Sequence, residues 1–468
     1  MTRTYKLQHG INQQKQDKIL AVLCAYRKTC SLIAKIQWRL FFQDNGFNKM
    51  TDLKNISSLL SERYKRNCCY QVEGALQSFI SNRQKNFVQI VYGYKFNSET
   101  KKHLFQINRR RLWFKKEHEL FTTEELLVAR QIFRHLLSGH NKPSFRKANM
   151  LLNGNVAEIQ MADKTKTIGF DYWIKLATLD KGKPVLLPIK TNKYFNGIKG
   201  ELQKVVQINR KNNEFSFGFM KKIQPKEMIF KTDKISIDIG LKNLFAVQDG
   251  NLFGKNFYRQ LKKYDTLISE LASNRQRQAL KIRSRRYDLL TNHFRNFLKN
   301  EIGRCLNRII KLYGPRVIVI ENLNFQGSDL SKRMNRILSN FGKKIIEQKL
   351  KSLNEEFGIE IHKINPAYTS QECPQCHYVD KKNRPTQERF CCKSCGYTRN
   401  ADVVGARNHF ARSSDKELGN VYLNRKKILH TLVTRFVKRH PRPHSWANGL
   451  LLGNPYFKDF LAQPKQVA

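Results

Sequence analysis

Three carboxylates and four thiols stand in settings that suit chemistry. Asp238 interrupts the apolar run Ile-Ser-Ile-Asp-Ile-Gly, and Glu321 ends Val-Ile-Val-Ile-Glu-Asn-Leu. A carboxylate within or at the end of an apolar strand is costly unless solvent, a basic side chain or a cation compensates it. Asp402, in Asn-Ala-Asp-Val-Val-Gly-Ala-Arg-Asn, precedes a helix start and, taken alone, reads as a helix cap. Together the three are hard oxygen donors of the kind that hold Mg2+ or Mn2+. Cys373-Pro-Gln-Cys376 and Cys392-Lys-Ser-Cys395 are two Cys-x-x-Cys pairs with 15 residues between them. That spacing fits a tetrahedral four-thiolate Zn2+ site. Cys391 competes for the first place in its pair, but only Cys392 gives the spacing. His377 reads as a surface or supporting histidine. A site closed by four thiolates is structural and leaves the zinc no catalytic role.

The elements that must position these groups follow from periodicity. Ile235–Ile239 is an apolar strand, Asn243–Gln248 a second, and Asp249-Gly250 a hairpin signal into a third. Two basic helical stretches follow, about Arg259–Ala279 and Lys281–Tyr313, then a buried strand Val317–Ile320. A helix (Lys343–Phe357) and a strand (Ile359–Ile364) lead into the cysteines. A hairpin-bearing strand with Asp, a later parallel strand ending in Glu and a helix with Asp form an RNase H-like acid arrangement. Such acids converge on two ions about 3.5–4 Å apart, which clamp both oxygens of an in-line phosphoryl displacement without a covalent nucleophile.

Upstream, a strand-like opening (Thr4–Leu7) precedes residues 14–145, which read mainly as helices, one of them begun by Thr122-Thr-Glu-Glu. Trp113 and Phe114 lie among the basic residues of Arg109–Lys116. Each aromatic reads singly as buried, and the block together as a nucleic-acid grip. Between Ala157 and Lys231 the period shifts to strands, Ile168–Leu176, Pro184–Ile189 and Glu214–Phe219, giving a small barrel or sheet.

A net charge of +50 on 468 residues, spread along the chain, requires a polyanionic partner and suits a face that tracks phosphates. No apolar run approaches the about 20 residues that span a bilayer, and Met1–Asp17 lacks the apolar core of a signal peptide. A cytoplasmic, nucleoid-associated protein without a membrane partner is expected. The five other cysteines, Cys24, Cys30, Cys68, Cys69 and Cys305, read as core thiols.

Pro366-Ala-Tyr-Thr-Ser-Gln-Glu-Cys-Pro-Gln-Cys, Arg389-Phe-Cys-Cys-Lys-Ser-Cys-Gly and Asn400-Ala-Asp402 resemble the C-terminal signature of TnpB proteins, encoded by insertion sequences and related to compact type V CRISPR effectors. The specific match covers about Lys234–Asn408; upstream the resemblance is architectural. It implies an α+β multidomain fold. Residues 1–13 would give the first strand of a wedge-like β-barrel domain, 14–145 a helical recognition lobe and 146–233 the rest of the wedge-like domain. Residues 234–372 would carry RuvC nuclease motifs I and II, 373–396 a zinc ribbon, 397–410 motif III and 411–468 a basic, dispensable or flexible extension. It implies an RNA-guided DNA endonuclease. Asp238, Glu321 and Asp402 would hold two Mg2+ (or Mn2+) ions, and Cys373, Cys376, Cys392 and Cys395 one Zn2+. The partners would be a guide RNA and double-stranded target DNA opened to an R-loop beside a short flanking motif. The alternatives are a type V CRISPR effector with the same chemistry and a guide-dependent DNA-binding protein with little or no cleavage. A tyrosine transposase is disfavoured, because no His-x-His occurs. The sequence departs from the usual pattern at Val404 and Gly405, after the third acid, and at His377, where a glycine usually follows the first cysteine pair. None of these changes removes a ligand.

Overall fold

The computed structural model describes residues 1–44, 46–47, 55–140, 142–163, 169–211, 213–321, 330–419, 423–440 and 451–457. The chain folds as two compact units, Met1–Gln224 and Pro225–Ala468. The division falls before the expected change at Lys234 because residue 226 is tied forward. The Lys226 amide and ammonium both donate to Glu356, each at 2.7 Å.

The first unit comprises β1 (Thr2–His9), α1 (Gln13–Asp44), α2 (Glu62–Gly93), α3 (Ser98–Arg110), α4 (Thr123–Ser138), β2 (Met150–Asn153), β3 (Ala157–Met161), β4 (Tyr172–Leu176), β5 (Val185–Lys190), the short α5 (Lys193–Gly197), β6 (Glu201–Lys211) and β7 (Glu214–Lys222). Its strands form one sheet in the order β2-β6-β7-β1-β5-β4-β3, and the two edge strands approach each other, so the sheet nearly closes. The N-terminal strand lies mid-sheet, antiparallel to β7 and β5. The strand expected from Ile168 is observed from Tyr172; Ile168 itself lies outside the described residues. Helix α4 begins as its sequence signal requires, with Thr122 and Glu125 in a reciprocal capping box. Trp113 is fully buried, with its ring 3.8 Å from that of Phe133, so this aromatic serves the helical core. Cys24 is exposed, contrary to its reading as a core thiol, while Cys30, Cys68, Cys69 and Cys305 are buried.

The second unit comprises β8 (Thr232–Asp238), β9 (Phe245–Val247), β10 (Leu252–Phe253), α6 (Phe257–Arg277), α7 (Arg285–Tyr313), β11 (Pro315–Glu321), α8 (Lys332–Ile337), a π-turn (Leu338–Gly342), α9 (Lys343–Phe357), β12 (Glu360–Ile364), β13 (Arg389–Cys391), β14 (Thr398–Asn400), α10 (Ala401–Ser413) and α11 (Arg425–Arg439). Five strands form a mixed sheet in the order β10-β9-β8-β11-β12. β11 is parallel to β8 and β12, and the β8-β9-β10 hairpins are antiparallel. Gly250, at φ 114°, makes the expected turn between β9 and β10.

Strand alternation sorts the two faces of this sheet. Ile235, Ile237, Ile318 and Ile320 pack with Phe294, Leu298, Ile302, Ile346 and Leu350 of α7 and α9. On the other face lie Ser236, Asp238, Val319 and Glu321, and α10 packs across β8, β9, β11 and β12. The Ser236 hydroxyl donates to the Ala406 carbonyl at 2.6 Å, fixing α10 to β8. Both faces of the parallel strands are thus covered, as such sheets require.

The segment after Ala411, expected to be dispensable or flexible, contains core in its described parts. Val433 and Phe436 of α11 and Leu451 and Phe457 pack with Tyr378 and Phe390 of the cysteine-bearing region. Asn454 donates to the Tyr378 hydroxyl and the Val379 carbonyl, each at 2.9 Å. The basic residues of α11 occupy its outer side, and this hid the apolar stripe beneath them.

Candidate metal centres

Parallel register brings the first two acids together. Ile320 pairs with Ile237, one residue before Glu321 and Asp238 respectively, so both carboxylates emerge at the same end of neighbouring strands and on the face beneath α10. Asp402 arrives from the first turn of α10. It does not cap that helix: the Asn400 side chain does, accepting from the Asp402 and Val403 amides. The Asp402 carboxylate lies against Gly240, where a Cβ would come within 2.8 Å of Oδ2. Gly405, one turn further along α10, lies against Asp238 in the same way: a Cβ there would stand 2.9 Å from Oδ2. The unusual glycine after the third acid therefore makes room for the first.

Periodicity missed one residue of this site. His409 lies seven positions after Asp402, two helical turns along the same face. It is fully buried, and its Nε2 stands 3.9 Å from Asp238 Oδ1 and 3.8 Å from Glu321 Oε2. Its Nδ1 meets the Ile237 carbonyl at 3.4 Å. The sequence signal was this seven-residue spacing, which is also what an ordinary core histidine would show. Arg384, from the loop between the cysteine pairs, reaches Asp402 Oδ1 at 3.4 Å.

Electrostatics set these acids apart. Burial, then repulsion from Glu321 and Asp402, holds the Asp238 carboxyl well above the usual carboxylate range. Burial lifts Glu321 to about 7 and raises Asp402, with the Arg384 charge opposing both shifts. Burial pushes His409 down to about 3, keeping its imidazole neutral. Asp238, Glu321 and His409 offer ligand atoms all within 4.8 Å of one another. Carboxylates that repel one another beside a neutral imidazole fit a divalent cation, which would relieve the repulsion and draw on the imidazole lone pair.

Cys373, Cys376, Cys392 and Cys395 form a second cluster, their sulfurs likewise within 4.8 Å of one another. Cys391 lies outside it, in β13. The two pairs are built alike. The Cys373 amide donates to the Tyr378 carbonyl and the Cys392 amide to the Tyr397 carbonyl, both at 2.9 Å. His377 at φ 64° occupies the left-handed position that Gly396 takes at 73° in the second pair. His377 stands aside from the sulfurs: its Nδ1 meets Glu372 Oε1 at 3.0 Å. Glu372 in turn accepts from buried Arg412 of α10 at 2.8 Å. Asn408 donates to the Thr369 and Glu372 carbonyls, so the Pro366–Glu372 segment is bound to the helix that carries Asp402 and His409.

The fold and site thus define a mixed α+β protein with a buried carboxylate cluster on a mixed sheet and an adjoining four-cysteine cluster. Residues 344–409 match the family model of the Cas12f1-like TNB domain. Over 82 residues the chain is 43% identical to the CRISPR-associated endodeoxyribonuclease Cas12f1 of Sulfoacidibacillus thermotolerans, covering 18% of this chain and 19% of that protein. It is 31% identical over 202 residues to InsQ of Escherichia coli (strain K12), covering 38% and 48%. It is 34% identical over 102 residues to a TnpB-like protein of Aquifex aeolicus (strain VF5), covering 21% and 33%. Each match spans less than half of the relative's length. The resemblance to TnpB proteins and compact type V effectors read from the motifs is borne out in these stretches.

Proposed function

We propose that the protein is an RNA-guided DNA endonuclease of the TnpB type, cutting beside a short flanking motif with Asp238, Glu321 and Asp402. The observation that carries this reading is the meeting of Asp238 and Glu321, from β8 and β11, beneath α10, whose Asp402 is near enough to repel Asp238. InsQ bears the name of an RNA-guided DNA endonuclease and supports the same reading. In these terms the second unit is RNase H-like (RuvC) with an inserted zinc ribbon. The first unit supplies a wedge-like barrel and a helical recognition lobe. Both would work on the nucleoid.

Asp238 and Glu321 would hold divalent cations, Mg2+ or Mn2+, with Asp402 the third acid. Such ions, when bound, supply activation of the attacking water and charge neutralisation at the phosphate. Arg384, 3.4 Å from Asp402, opposes the upward shift that burial gives this acid and orients it. The apolar β8 and β11 exclude water from behind the acids, strengthening every charge interaction at the site. Cys373, Cys376, Cys392 and Cys395 would hold Zn2+ in a closed structural site. The basic surface binds the guide RNA, and pairing of guide with target in an R-loop supplies sequence specificity.

A type V CRISPR effector with the same chemistry is the second reading, favoured by the 43% identity to Cas12f1. Sequencing the RNA that co-purifies distinguishes the two: RNA overlapping the gene's 3′ end supports the first, and a repeat-derived guide the second. With that RNA, wild type cuts a matching duplex and Asp238→Ala does not. Equal cutting by both would refute the acid assignment.

A further inference from the structure

His409 has no part in the three-acid reading, yet its environment is constrained from both sides. The Ile237 carbonyl faces Nδ1, and a carbonyl can only accept, so Nδ1 carries the proton and Nε2 the lone pair. Nε2 is buried and has no hydrogen-bond partner. It points between two carboxylate oxygens, themselves acceptors, at 3.8 and 3.9 Å. Neither separation is short enough for a hydrogen bond, so the buried Nε2 lone pair is left unsatisfied. Two donor atoms at about 2.1 Å from one ion stand no more than about 4.2 Å apart, and both separations fall within that span.

We propose that His409 Nε2 is a protein ligand, with Asp238 and Glu321, to one divalent cation, and that it biases the centre towards transition-metal ions over Mg2+. Carboxylates alone suit hard ions such as Mg2+, whereas imidazole binds first-row transition ions with affinities rising along the Irving–Williams order. The backbone carbonyl on Nδ1 is the outer partner that metal-binding histidines ordinarily have; it holds the ring's tautomer and increases its basicity.

The inference rests on the reading that Asp238 and Glu321 hold a cation, and the test separates the two. Full-length protein with its cysteine cluster zinc-loaded is titrated with Mn2+, and electron spin-echo envelope modulation detects nitrogen bound to the manganese. Wild type is expected to show an imidazole nitrogen, and 15N-histidine labelling is expected to change that signal without any substitution. His409→Leu should abolish it and weaken Mn2+ binding by roughly tenfold or more, since even losing an outer partner costs about 10–100-fold. Mg2+ binding should change far less. If Mn2+ binds wild type, is lost in Asp238→Asn and shows no histidine nitrogen, His409 is not a ligand, while the acid site stands. If Asp238→Asn leaves Mn2+ binding intact, the acid site fails and the His409 assignment with it.

Discussion

Removing the Glu321 charge should stabilise the metal-free protein, and the gain should depend on pH in a set direction. Burial lifts this carboxyl from 4.5 to about 7, so between those values the folded chain binds more protons at Glu321 than the unfolded chain does. Stability therefore falls as pH rises through the window. At about 1.4 kcal/mol for each tenfold change in proton affinity, the full penalty is about 3 kcal/mol above pH 7. About 2 kcal/mol of it develops between about pH 5.5 and 8, where thiolate-bound zinc is retained. The side chain is 17% exposed, so solvent screens little of this. His409, neutral when folded, takes up a proton only in the unfolded chain, which acts in the opposite direction but equally in both proteins, whereas Asp238, raised by burial and then by repulsion, adds in the same direction as Glu321. The assay is urea unfolding of wild type and Glu321→Gln at the two pH values, with no added divalent ion. Many other groups titrate here, so only the wild-type-minus-variant difference counts. It should widen by about 2 kcal/mol towards alkaline pH. A constant difference, or one that narrows, would refute the argument that burial raises this carboxyl.

Gly405→Ala should reduce single-turnover cleavage by roughly 10–100-fold, because its Cβ would push the Asp238 carboxylate out of place. Thermal stability should change little, as better helix propensity offsets the crowding by about 1 kcal/mol; cleavage at the wild-type rate would contradict the tight Gly405–Asp238 contact. Phe436→Ala should destabilise the second unit by about 3–5 kcal/mol in chemical unfolding, because its ring is buried against Tyr378 and Phe457. A loss below about 1 kcal/mol would restore the view of this segment as an accessory tail.

The acids were legible because a charge in an apolar strand is an energetic contradiction, and the cysteines because thiolate pairs have few other uses at that spacing. The β9–β10 turn followed from Asp249-Gly250 and was found. His409 was not legible: a buried histidine at helical spacing looks the same whether it meets core or metal. Only the register of β8 against β11 decides between them. The packing of α11 was hidden because its lysines and arginines dominate its composition, while its apolar stripe is only a few side chains wide. Trp113 was read correctly as a single residue, buried.

The anchoring of α10 ties the two clusters together. Asn408 and Arg412 bind the segment that ends one residue before Cys373, and Asp402 and His409 ride on the same rigid rod. The rod has a second anchor in the Ser236–Ala406 bond to β8, so its carboxylate is held from both the sheet and the cysteine-bearing segment. The cysteine-bearing segment and the buried carboxylates are therefore coupled through one helix, so a displacement of either end is felt at the other.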